Sequence, residues 1–84
     1  MIDKRNDPVQ WALLSYQLED AAEELGKLID EMSSADDFEE VDFRIWLEGI
    51  YAHLNNAWNM RHERDPDADL SSRFPDDLTP LGAG

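Results

Sequence analysis

The chain contains no cysteine, so neither a disulfide framework nor thiolate metal ligation is open to it. Basic residues are scarce too: seven Lys and Arg stand against twenty Asp and Glu, a formal charge of −13 at pH 7. That balance repels phosphate backbones and anionic lipid surfaces, which argues against nucleic-acid or membrane binding. Long apolar runs are also missing. No window approaches the roughly 18 uninterrupted apolar residues that span a bilayer, and the opening Met1-Ile2-Asp3-Lys4-Arg5-Asn6-Asp7 lacks the apolar core of a targeting segment. A soluble protein of the reducing cytoplasm is expected. There is no Ser/His/Asp elbow, glycine-rich phosphate loop or paired-histidine helix motif. No catalytic residue, cofactor or metal is therefore assigned, and a non-enzyme is expected.

The 84 residues leave room for one domain, whose core is marginal unless something supplements it. Helical periodicity dominates what is there. Asp7-Pro8-Val9-Gln10 reads as a helix start, with Asp7 at the N-cap, Pro8 at the first helical position and Gln10 closing a capping box. The first helix is predicted over about 8–32. Trp11, Leu14, Leu18, Ala21, Leu25, Leu28 and Met32 recur along it at alternating steps of 3 and 4, an unbroken apolar stripe widened by Ala22 and Ile29. Glu19, Asp20, Glu23, Glu24, Lys27, Asp30 and Glu31 form a solvated opposite face.

A short polar link, Ser33 to Asp37, follows. Ser34 or Asp36 is the expected cap of the second helix, with Glu39 at the box position if Asp36 serves. So short a link makes the helices antiparallel neighbours. The second helix is predicted over about 37–64, stopped by Asp65-Pro66. Its main stripe is Phe43, Leu47, Ile50, Leu54, Ala57 and Arg61, with Trp46, Tyr51 and Trp58 on the flanks. Folding the hairpin at 33–36 sets Leu25 against Phe43, Ala21 against Leu47, Leu18 against Ile50 and Trp11 against Trp58. Residues 65–84, rich in proline, acid and serine, form an irregular tail with Leu70, Phe74, Leu78 and Leu81 as its available anchors.

A second stripe runs along helix two: Ile45, Gly49, Ala52, Asn56 and Met60. Its small middle invites close approach of another helix, because a glycine inside a helix otherwise costs about 1 kcal/mol relative to alanine. Two helices cannot shield two stripes, whereas two hairpins can close a four-helix bundle. The all-α hairpin is therefore expected to form a homodimer through helix two.

Asparagine is a poor helix former, and three of them fall within Asn55-Asn56-Ala57-Trp58-Asn59-Met60-Arg61-His62. Arg61 is expected to reach the first turn of helix one, pairing with Asp7 and lying over Trp11 or Trp58 as a clasp. The alternative use of this end is a small polar site of His53, Asn56, Asn59 and Arg61 that grips an anion or a peptide carboxylate. His53 has no second ligand at i±3 or i±4, so it makes a poor metal site. His62 is read as a surface residue near the helix end.

Glu23-Glu24-Leu25-Gly26 and Glu39-Glu40-Val41-Asp42 resemble the acidic pairs with which all-α nucleoside triphosphate pyrophosphatases bind Mg²⁺. The resemblance covers those eight residues and would imply a Mg-dependent nucleotide hydrolase. The expected register separates the two pairs by roughly two helical turns of 5.4 Å, and phosphate-binding cations are missing. The reading that follows is a small acidic interaction module that dimerises. An acidic inhibitor of the immunity-protein or antitoxin type, holding a basic protein partner through the acidic face of helix one, is the alternative.

Overall fold

A computed structural model describes residues 1–64 of the chain. The predicted tail, and with it the anchoring roles of Leu70, Phe74, Leu78 and Leu81, lies outside the described residues. Two helices, α1 (Pro8–Ser34) and α2 (Glu40–Met60), pack against each other, and no strand occurs among the described residues. Neither helix is long and apolar enough to cross a membrane.

The contact line of α1 is Leu14, Ala21 and Leu28, three buried residues spaced by seven. It meets Ile50 and Ala57 of α2, also seven apart. The core falls into two clusters. Ala21, Leu28 and Ile50 gather Phe38 and Trp46, while Leu14 and Ala57 gather Trp11, Met60 and Ile2. Leu14 thus groups with Ala57 and Ala21 with Ile50, where the sequence suggested Ala21 with Leu47 and Leu18 with Ile50. The cause lies at the turn: α1 runs on to Ser34 and α2 begins only at Glu40, so the register moves by about three residues, close to one turn.

Caps explain those boundaries. Ser33 and Ser34 turn their hydroxyls back onto the carbonyls of Ile29 and Asp30, at 3.0 and 2.8 Å, and extend the last turn of α1. The cap of α2 is Glu39, not Ser34 or Asp36. A capping box closes between Glu39 and Asp42, whose Oδ2 accepts the Glu39 N–H at 3.0 Å. Glu40 and Asp42 put two acids in the first turn, where the helix dipole favours them. At the far end α2 loosens after Met60 into single turns, Arg61 N–H to Trp58 O and Glu63 N–H to Met60 O, so it stops four residues short of the expected 64.

Asp7 stands at the α1 N-cap without capping through its side chain, and Gln10 does not close a box. Its carboxylate instead accepts the Asp3 N–H at 3.0 Å, while the Asp7 N–H returns to the Asp3 carbonyl. The Asp3 carboxylate accepts the N–H groups of Arg5 and Asn6 and the Asn6 side-chain amide, at 2.7, 3.1 and 2.8 Å. This knot turns Ile2 inward, to 2% exposure, where its N–H bonds the Arg61 carbonyl at the end of α2. A lone isoleucine among charged residues gave no periodic signal, which is why sequence reading missed it.

Two outcomes follow. Ile50→Ala should cost about 2–5 kcal/mol in urea unfolding, as a buried cavity change. Leu18→Ala should cost about 1 kcal/mol or less, because Leu18 keeps 46% of its surface. Equal losses would mean that the helices are rolled differently. The backbone N–H groups of Asn6 and Arg5 hold the Asp3 carboxyl below the usual carboxylate value. A depressed folded pKa contributes stability above the unfolded value, and that contribution is lost as pH falls through the folded one. NMR titration should find Asp3 below 3.8, and the stability gap between native and Asp3→Ala should narrow as the solution is acidified past that midpoint.

Candidate functional site

Each contact-line residue is flanked by a position three residues on and another four residues on, which project to opposite sides of the line. In an antiparallel pair, matching flanks of the two helices fall on the same side of the layer. The three-on positions Gln17, Glu24 and His53 show this directly. His53 Nδ1 lies 2.8 Å from Gln17 Oε1, and its Nε2 lies 3.2 Å from Glu24 Oε1. A carboxylate only accepts, so Nε2 carries the proton it donates to Glu24. The ligand-like partner that sequence spacing denied to His53 comes from the other helix.

Gly49 belongs to this flank. A Cβ built there would sit 3.2 Å from Glu24 Oε2, so the missing side chain leaves room for the carboxylate to reach His53. Met60, three on from Ala57, packs on the Ile2–Leu14–Ala57 cluster, and Asn56 is half-buried. The stripe expected to face away from α1 therefore divides. Gly49 and Met60 serve the contact with α1, while Ile45, at 63% exposure, and Ala52 stay outside it. The physical reason is that α2 is rolled so that Trp46, Ile50, His53 and Ala57 face α1, which brings Gly49 and Met60 to the edge of the contact and leaves Ala52 outside.

The four-on flank is the reverse in chemistry. Leu18 and Leu25 follow Leu14 and Ala21 by four, and Leu54 follows Ile50 by four. Ile29 extends the strip on α1, Leu47 and Phe43 on α2. All six were placed in or beside the buried stripes by sequence. In the fold they keep between 39% and 56% of their surface, forming one apolar strip along one side of the hairpin. On the outer side of α2 this strip runs into a cavity of about 990 Å³. Among the described residues it is lined by Phe43, Leu47, Tyr51 and Ala52, with Glu40, Val41, Arg44, Glu48 and Asn55 around them.

Arg61 takes Trp58, one of its two expected aromatic partners, while Asp7 is met by a different arginine. The Arg61 guanidinium lies over the Trp58 ring, 3.7 Å from its centroid, and donates to the Trp58 carbonyl at 2.8 Å. Because α2 ends at Met60, the chain carries on to Arg64, and it is Arg64 Nε that reaches Asp7 Oδ1, at 3.2 Å. Gln10 seals the junction by donating to the Arg64 carbonyl at 2.8 Å. Trp11 joins the apolar cluster beside Ile2 and Leu14, away from any described cation–π contact. The N-terminal ammonium, with Arg61 and Arg64, holds the His62 pKa below its ordinary value, so basic charge gathers at this one end of an acidic molecule.

The polar constellation of His53, Asn56, Asn59 and Arg61 is not brought together among the described contacts. His53 turns to Gln17 and Glu24, Asn59 donates to buried Asn55 at 3.3 Å, and Arg61 folds onto Trp58. Asn56 Oδ1 is buried without a partner. The acids that resemble a Mg²⁺ site are engaged elsewhere: Glu23 with Lys27 at 3.3 Å, Glu24 with His53, and Glu39 with Asp42 in the α2 cap. Among the described residues no group of three or more His, Asp or Glu side chains is placed to hold a metal ion. Comparisons with family models, curated proteins and solved structures find no match.

Gly49→Ala should raise stability by about 0.5–1 kcal/mol, because helix propensity improves and a flexible carboxylate can yield a few tenths of an ångström. Gly49→Leu should lower it by evicting Glu24 from His53. Denaturant midpoints read both, and a loss with alanine would mean that backbone, not a side-chain tip, approaches Gly49.

Proposed function

We propose that this protein is a small acidic helical interaction module whose binding surface is the open apolar strip of Leu18, Leu25, Ile29, Phe43, Leu47 and Leu54. The observation that carries the reading is their retained exposure, 39–56%, on a single side of two packed helices. Scattered exposed apolar residues are ordinary on a protein surface, whereas an aligned strip with polar borders marks a place where another surface docks. The opposite flank is closed by the polar contacts of His53 with Gln17 and Glu24.

Self-association is the second reading. Two hairpins stacked strip to strip would make a four-helix bundle, with α2 contributing Phe43, Leu47 and Leu54 in place of Gly49 and Met60. The thinness of a core with only six buried apolar residues among those described favours some such covering. Inhibition of a basic protein is the form that the −13 charge favours. A catalytic role draws no support from the His53 contacts or from the acids engaged in caps and ion pairs.

Leu25→Gln with Leu47→Gln in the full chain tests the module. Helical circular dichroism and the urea midpoint should stay close to native, while binding of a hydrophobic dye should fall. Unfolding of the double variant would make the strip part of the fold and end the reading.

A further inference from the structure

The strip lies over the shallow groove between two antiparallel helices, a shape that takes one more helix by ridges-into-grooves packing. Leu18 to Ile29 and Phe43 to Leu54 each span eleven residue steps, roughly 16 Å at 1.5 Å per residue, which is about three turns of a docked helix. Charge decides which helix. From residue 8 to residue 60 there are twelve acidic residues and two basic ones, Lys27 and Arg44, each of the two already paired with a glutamate. Exposed Glu19 and Asp30 on α1, with Glu40 on α2, stand beyond the strip on its outer borders, where Glu48 is already paired with Arg44.

A second copy would bring the same acidic borders against these, placing −13 on −13. A helix with an apolar face and lysine or arginine flanks buries the same strip and sets opposite charges along both edges. Resting on the interaction-module reading, we infer that the occupant of the strip is a basic amphipathic helix of about three turns supplied by another protein. Apolar burial holds it, and the acidic borders choose it over neutral or acidic helices.

The probe is a labelled synthetic peptide of about 18 residues with leucines at helical a/d spacing and lysines elsewhere. It is titrated into the full chain by fluorescence anisotropy. Controls are a scrambled peptide of the same composition, a Leu/Glu counterpart, and light scattering of the chain alone. The Leu/Lys helix should bind, and weaken about tenfold or more between low and high salt. Leu25→Gln with Leu47→Gln should weaken it at least about tenfold, while Ile45→Gln, off the strip, should leave it unchanged. Equal binding of the scrambled peptide would reduce the effect to bulk charge, and equal binding of the Leu/Glu peptide would remove the role of the borders; either overturns the inference. A native dimer that Leu25→Gln/Leu47→Gln dissociates would overturn it in favour of a second copy, leaving the module intact. A monomer that takes neither peptide, with dye binding unchanged in the double variant, would sink the module as well.

Discussion

Two helices share only one line of contact, and everything else in this structure depends on how that line is rolled. Leu14, Ala21 and Leu28 against Ile50 and Ala57 make a narrow seam with a flank on either side. Closing one flank leaves the other open, because two cylinders cannot touch on both. Here the closed flank is polar. His53 reaches across to Gln17 and Glu24, and Gly49 leaves room for the Glu24 carboxylate. Each ring nitrogen of His53 has a polar neighbour there, the Glu24 carboxylate at one and the Gln17 side-chain amide at the other, as a half-buried polar group requires. The apolar flank is the one left outward.

This roll accounts for the core's modest size and for the way the ends are tied. Ile2 supplies apolar volume that two helices lack, and its N–H joins the end of α2. Asp7, at 8% exposure, is a nearly buried carboxylate satisfied by the Asp3 N–H and the Arg64 guanidinium. Arg64 is mostly in solvent, so the ion pair itself contributes little and the hydrogen bonds around Asp7 carry the junction. Basic groups gathered here leave α1 and α2 as an acidic body with an apolar strip, a distribution that selects partners by charge as well as by shape.

Much of the architecture was legible from the residues. The alternating stripes, Pro8 at a helix start and the short link made an antiparallel all-α hairpin the only economical arrangement, and the fold agrees. Less legible was which edge of each stripe would be buried. Both stripes were wider than one contact line, so apolar periodicity admitted more than one roll. The cap of α2 was misplaced because Ser34 and Asp36 are better capping types than Glu39, which was read at the box position, yet it is the Glu39–Asp42 box that closes. That three-residue change shifted the pairing and carried Leu18 out of the core. Also beyond sequence spacing was the cross-helix contact of His53, whose ring nitrogens meet Gln17 and Glu24 on the other helix.

What the sequence by itself determined was helix, hairpin, acidity and the want of a catalytic signature, since these rest on local periodicity, turn length and charge count. Only the tertiary structure decided that Gly49 serves Glu24, that Arg64 and not Arg61 meets Asp7, and that Leu18, Leu25, Leu47 and Leu54 share one open side. Each of those is a relation across the hairpin, set by the roll and register of one helix on the other. A difference of one turn or one flank leaves the periodic pattern along each helix unchanged.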